Sequence, residues 1–179
     1  MVPTRGIIFA LCASTILLRR DPTPSASAAP PSELADKILI RKNAHTLTLL
    51  QGDKVIKSYS VAIGPGGKGP KLREGDSVTP IGRYTIELKK DSIYTKFLRL
   101  SYPNADDRKR FEENVANGVL PKTARIGGDI GIHGSPPARE WKGVHKQSDW
   151  TLGCVALDDD EIKEIAGAVR VGTVVEIDD

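Results

Sequence analysis

Three short apolar runs, Lys37-Ile38-Leu39-Ile40-Arg41, Thr46-Leu47-Thr48-Leu49-Leu50 and Val55 to Ile63, decide the fold. Gly52-Asp53 stands between the second and third, so the pattern reads as a strand followed by a hairpin. Gly64-Pro65-Gly66-Gly67-Lys68-Gly69-Pro70 then breaks it, and an irregular loop is expected to about Gly75. Thr79-Pro80-Ile81-Gly82-Arg83-Tyr84 reads as a turn feeding a strand at Tyr84–Leu88, with a further strand at Phe97–Ser101. Asp106 is the expected cap of a helix to about Asn117, with Phe111 and Val115 on one face and Gly118 as its stop. A second helix follows Asp158, because Glu161 three residues on completes a capping box. Its Ile162, Ile165, Ala166 and Val169 fall at i, i+3, i+4 and i+7. Thr173–Ile177 closes the series as a strand. Many short strands against two helices predict a mainly β, α+β domain.

Upstream of residue 34 the composition changes. Arg5 precedes an apolar run from Gly6 to Leu18, and Ala26-Ser27-Ala28 has the form of a cleavage site, so residues 1–28 read as a secretory signal peptide. The thirteen apolar residues would rise roughly 20 Å as a helix, short of a ~30 Å hydrocarbon core. Arg19 and Arg20 after that run keep an uncleaved N-terminal anchor open as the alternative. Pro22 to Pro31 is built from Pro, Ser, Ala and Thr, which cannot bury a core, so residues 29–33 are expected to be a flexible linker and 34–179 the folded domain. A periplasmic or secreted location follows from the signal.

Charge excludes some functions. The chain has 179 residues and a formal charge of +3, of which the three arginines and one aspartate of residues 1–28 contribute +2. What remains is nearly neutral, no dense Lys/Arg run is present, and aromatic residues are 5%, so nucleic acid is not an expected partner. The glycine-rich loop carries Lys68 but lacks the Gly-Lys-Ser/Thr of a phosphate cradle.

Cys12 lies in the apolar run, which leaves Cys154 as the one thiol expected in a mature exported chain. An unpaired thiol in such a protein is a candidate nucleophile, and a thiol of ordinary pKa ~8.5 then needs a neighbouring base. Of the three histidines, His45 reads as a solvated turn residue and His145, flanked by lysine, as exposed. His133, after Gly131-Ile132 and before Gly134-Ser135-Pro136, reads as the end of a short buried strand facing a cleft. Gly134 leaves its carbonyl open to the imidazole. Gly153 permits a tight turn that aims the amides of Gly153 and Cys154 at an oxyanion. A packed cysteine in a buried Gly-Cys-Val strand, and a structural histidine, stand beside these readings. Asp149 reads as a solvated turn acid, and Trp141 and Trp150 either wall a substrate groove or simply pack. No metal ligand spacing is present and no cofactor is expected.

Ile132-His133-Gly134, then Thr151-x-Gly153-Cys154-Val155-x-Leu157 some twenty residues on, resembles the signature of the YkuD-type L,D-transpeptidases. Thr79-Pro80-x-Gly82-x-Tyr84 resembles the turn those domains carry upstream. Leu100-Ser101-Tyr102-Pro103-Asn104 with Asp107 resembles the YafK-like branch. The resemblance covers roughly residues 34 to 177 and implies a YkuD-like β-sandwich of mixed sheets. It further implies a cysteine acyltransferase of the cell wall. Cys154 would form an acyl-enzyme at the diaminopimelate L-centre of a peptidoglycan stem peptide, His133 would be the base, Gly134 would orient it, and an amine would resolve the thioester. Many members have a histidine before the Gly-Cys pair and an arginine two residues after the cysteine, where this chain has Leu152 and Ala156. The substrate's acid groups are therefore assigned to Lys71, Arg73 or Arg139, with Trp150 and Trp141 as further substrate contacts. Hydrolysis of a diaminopimelate linkage, releasing a crosslink or a wall-anchored lipoprotein, is the alternative implied by the same branch. A non-catalytic wall-binding module is a third reading. Carbapenem-type inhibitors are implied as ligands.

Overall fold

The computed structural model describes Met1 and residues 34–179. The expected signal peptide and linker lie outside the described residues. Eight strands run β1 Lys37–Arg41, β2 Thr46–Gln51, β3 Lys54–Ser60, β4 Gly82–Ser92, β5 Thr95–Leu100, β6 Gly131–His133, β7 Val155–Ala156 and β8 Val174–Asp178. Two α-helices, α1 Ala105–Ala116 and α2 Asp159–Ala168, accompany them.

Alternation explains the first hairpin. Ile38, Ile40, Leu47 and Leu49 are fully buried while their neighbours face outward, so β1 and β2 each present one apolar face. The strands join in the order β3-β2-β1-β8-β4-β5-β6-β7. β1 pairs with β8 and β6 with β7 in parallel, and the other pairs are antiparallel. The mixed sheet curls until its two ends meet. Ala62, just past β3, bridges Ala156 of β7 with two backbone hydrogen bonds of 3.0 and 2.8 Å. The β-rich α+β architecture expected from the sequence is present, its layers being the two arms of this curled sheet.

Inside the curl lies one apolar cluster that includes Ile86, Leu98, Leu100, Ile132, Val155, Leu157, Val175 and Ile177. Helix α2 covers it with Ile162 and Ile165, each fully buried and worth about 1.5–3 kcal/mol of transfer free energy. The expected capping arrangement appears as the Asp158 amide donating to Glu161 Oε2 at 2.9 Å. Helix α1 begins earlier than the sequence reading placed it. Asn104, not Asp106, is the cap, because its side chain accepts the Asp107 amide while Asp107 Oδ2 accepts the Asn104 amide. Phe111 and Val115 are half-buried, and the buried residue that pins the helix is Asp107, which also accepts from the Tyr84 hydroxyl at 3.0 Å and from Arg110 at 3.1 Å.

The largest departure is the β4–β5 hairpin. β4 continues four residues beyond Leu88 through Lys89-Lys90-Asp91-Ser92, and the turn at Ile93-Tyr94 overhangs the sheet. That extension is held by backbone pairing and by Lys89 Nζ donating to the Ala166 and Val169 carbonyls at 2.5 and 2.6 Å, so no apolar alternation announces it.

Candidate active site

The register of β6 with β7 brings the two motif halves together. His133 is the strand partner of Ala156, and Cys154 lies two residues before Ala156, so His133 and Cys154 fall on one face of neighbouring strands. Both line a cleft of about 860 Å³ with Lys71, Lys90, Tyr94, Phe97, Asp129, Trp150 and Leu152.

The His133 imidazole is fixed on every side. Its Nδ1 lies 2.8 Å from the Gly134 carbonyl oxygen. A carbonyl only accepts, so Nδ1 carries the proton and Nε2 is the unprotonated nitrogen of the neutral ring. Tyr94 packs against the ring at 4.6 Å between centroids, Trp150 meets it edge-on at 5.7 Å, and Phe97 stacks beyond at 6.3 Å. Burial among these rings pushes the imidazole below its ordinary range, the Gly134 carbonyl partly opposes this, and His145 adds to it. At neutral pH the ring is therefore uncharged.

Gly134 is required by close approach. A Cβ there would meet the Tyr94 carbonyl oxygen at 2.6 Å and Asp159 Oδ1 at 2.8 Å, and the Gly134 amide donates to that same Tyr94 carbonyl. The hairpin tip is thus stitched to the strand end that carries His133.

Cys154 is half-exposed and free. Burial pushes its thiol up, a Gly131 backbone contact and the Lys71 charge pull it down, and Asp129 pushes it up again, with a net rise. Its sulfur lies 3.7 Å from the Asp129 carbonyl oxygen, and among the described residues no hydrogen bond joins it to His133. Thiol raised and imidazole lowered, the resting pair is neutral and the proton sits on sulfur.

The loop before the sulfur is stapled by Thr151, whose hydroxyl donates to the Cys154 carbonyl at 2.7 Å and accepts the Gly153 amide at 3.2 Å. The Gly153 amide, expected to face an oxyanion, is thereby engaged inside the loop, while the Cys154 amide has no hydrogen-bond acceptor among the described residues. Gly153 itself has φ +127°, and a Cβ on it would stand 2.8 Å from the Val78 carbonyl oxygen. Thr79 of the upstream turn is fully buried behind this loop. Its hydroxyl accepts the Gly64 amide at 3.0 Å and reaches the Cys154 carbonyl at 3.5 Å.

The residues assigned to substrate separate. Lys71 and Trp150 line the cleft. Arg73 turns its guanidinium to the Glu74 carbonyl and lines a different depression with Pro121 and Arg125. Arg139 and Trp141 lie on a short 3-10 turn, and neither is among the cleft-lining residues. His145, expected to be exposed, is fully buried. Its Nε2 lies 3.0 Å from Asp158 Oδ1 at the start of α2, and its ring meets Trp150 edge-on. Asp149 is not a free turn acid, since it accepts the Ile63 amide at 2.9 Å and lies 3.1 Å from Nε2 of the exposed His45. Leu152 is 76% exposed on the cleft rim, whereas Ala156 is fully buried and its backbone is bridged to Ala62.

Missed in the sequence are Lys90, Ile93, Tyr94 and Phe97, all from the overhanging hairpin. The apolar Ile93-Tyr94 pair, with Ile93 exposed, between two charged stretches is the signal the sequence offers. Among the described residues no group of three His, Cys, Asp or Glu side chains is arranged to hold a metal ion, and no helix is long and apolar enough to cross a membrane.

The family model for the YkuD L,D-transpeptidase catalytic domain matches residues 35–177, and the chain belongs to that family. The "Putative L,D-transpeptidase YafK" of Escherichia coli (strain K12) is 37% identical over 99 residues, covering 51% of this chain and 37% of that relative. Among solved structures, the helical cell shape determining protein Pgp2 from Campylobacter jejuni is similar with TM-score 0.58 and 24% identity, over 79% of this chain and 46% of that one. Bd1075 of Bdellovibrio bacteriovorus gives TM-score 0.53 and 21% identity, over 81% and 50%. The chain spans half or less of the length of these relatives, and the structural likenesses are likenesses of fold.

Proposed function

We propose that this protein is a cell-envelope L,D-transpeptidase that acylates Cys154 with a peptidoglycan stem peptide. The observation that carries the reading is the shared cleft of Cys154 and a neutral His133 whose Nδ1 is held by the Gly134 carbonyl. As sulfur bonds to the carbonyl carbon at the diaminopimelate L-centre, the thiol proton passes to His133 Nε2, and the carbonyl π pair moves to oxygen. Collapse of that oxyanion breaks the C–N bond, and the D-alanine nitrogen leaves with the proton from the imidazolium. An acceptor amine then gives its proton to His133 and takes the acyl group from sulfur. The signal segment would deliver the chain to the periplasm or outside the cell.

Incubation with tetrapeptide muropeptides, read by mass spectrometry, tests this. Released D-alanine with cross-linked dimers or exchanged D-amino acids is the expected result. Tripeptide alone would make the protein an L,D-peptidase, and loss of existing diaminopimelate links, including those to a lipoprotein, would do the same. Intact substrate with retained binding to wall sacculi would leave a binding module.

Lys90 is the cleft cation best placed for a substrate carboxylate. It has no carboxylate partner among the described residues and lies 5.6 Å from the Phe97 ring centroid, whereas the Lys71 ammonium is taken by Asp76. Lys90→Gln is expected to raise KM for tetrapeptide about tenfold, the worth of one charge-assisted hydrogen bond, with kcat little changed. An unchanged KM removes Lys90 from substrate binding.

A further inference from the structure

An ammonium buried in the wall of an open cleft is costly unless something uses it. Lys71 has a side chain only 3% exposed, and its Nζ lies 2.6 Å from Asp76 Oδ1. An ammonium has three N–H donors, and no other hydrogen-bond partner of Nζ occurs among the described residues. Asp76 is much better satisfied, since it also accepts the amides of Leu72, Arg73 and Val78, and these contacts hold its carboxyl below the usual range against the opposing effect of burial. A plain loop anchor therefore has in Asp76 all it needs, and the remaining donors of Lys71 call for a second explanation.

Position supplies one. Nζ lies 3.5 Å from where a Cβ on Gly153 would be, alongside the turn that carries Cys154, and Lys71 lines the cleft with Cys154. That turn lacks one of the two amides an oxyanion site commonly uses, because Thr151 holds the Gly153 N–H. Resting on the acylation reading given above, we infer that the Lys71 ammonium is a catalytic donor to the carbonyl oxygen that becomes negative when Cys154 attacks, acting beside the Cys154 amide. A positive charge preorganised there stabilises the thiolate as it forms and the oxyanion that follows, and it moves no proton. The other charged and titratable groups of the cleft are Glu74, Lys90, Tyr94, Asp129 and His133, of which Asp129 acts on the sulfur in the opposite sense.

The test uses the full chain and two probes, a carbapenem followed by intact mass and iodoacetamide followed across pH. Lys71→Gln is expected to slow carbapenem acylation about a hundredfold. The midpoint of its alkylation profile should rise by about one pH unit. Lys71→Arg should recover most of both. Asp76→Asn strips the countercharge and leaves the ammonium, so its alkylation midpoint should move the opposite way, downward. A lysine that only anchors the loop would lower thermal stability in both variants and leave both midpoints in place. Such a result, or midpoints that move together, overturns the inference, and Asp76→Asn with Lys71→Arg decides it even where Lys71→Gln fails to fold. Wild-type protein that forms no carbapenem adduct overturns the acylation reading and this role with it. A wild-type adduct that Lys71→Gln forms equally fast overturns the lysine assignment alone.

Discussion

Cys154→Ala is expected to abolish the covalent adduct that a carbapenem forms with the wild-type chain, and with it all conversion of tetrapeptide muropeptides. The described residues contain no second thiol, and Cys154 lines the cleft with one face open. Intact mass reads the result directly, as one drug mass gained by wild type and none by the variant. The substitution removes one sulfur from a half-exposed position and leaves the Thr151 staple intact, since both of its hydrogen bonds use backbone atoms of residues 153 and 154. Thermal stability should therefore change little, by about 0.5 kcal/mol or less. An adduct that persists in Cys154→Ala would move the nucleophile elsewhere. A variant with lost stability as well as lost acylation would return Cys154 to a packing role. Cys154→Ser sharpens the comparison, because a hydroxyl keeps the size but is far harder to deprotonate, and a loss close to that of alanine is expected.

The parts of the molecule legible in the sequence are those in which side-chain chemistry and backbone geometry agree. β1 and β2 alternate because one face is buried, and α2 shows its apolar stripe because Ile162 and Ile165 pack beneath the sheet. The His-Gly and Gly-Cys pairs stand out because Gly134 and Gly153 occupy places where a Cβ would strike a backbone carbonyl. The walls of the cleft were not legible in the same way. Lys71, Lys90 with Tyr94, and Asp129 come from three separate stretches, only Lys71 among them is assigned to substrate from the sequence, and only the curl of the sheet brings them to one cleft. His145 was misread for a related reason. Its neighbours are polar, and its burial depends on a carboxylate at the start of α2, thirteen residues on, that no local pattern discloses. The extension of β4 is invisible to hydrophobic periodicity because backbone pairing and polar side-chain contacts, such as Lys89 with the Ala166 and Val169 carbonyls, sustain it.

His133→Ala is expected to lower the rate of Cys154 acylation by about 10²–10⁴-fold at neutral pH, the usual worth of a positioned general base. The size of the effect follows from the resting charge state. Were thiolate and imidazolium formed in advance, the histidine would matter chiefly as a countercharge, and sulfur would already be reactive near neutrality. Here burial raises the thiol and lowers the imidazole, so the proton must move during attack, and without His133 it has no acceptor. The pH dependence carries the same sign. An imidazole held below its ordinary value near 6.5 stays unprotonated as pH falls to that point, so wild-type acylation should hold level there and decline only at more acidic pH, through the lowered value. Alkylation by iodoacetamide requires the thiolate itself and should instead climb on the alkaline side, above the ordinary thiol value near 8.5. Two separated limbs, one acidic for acylation and one alkaline for alkylation, mark a neutral pair. A single shared limb well below pH 7 would mark a preformed ion pair and overturn this assignment. His133→Gln guards against a trivial loss of packing among Tyr94, Phe97 and Trp150. It retains much of the ring's volume but cannot take up a proton, so it should fold with near wild-type stability and remain as slow as the alanine variant. A glutamine variant that acylates at the wild-type rate would show that the ring serves only to fill its aromatic cage.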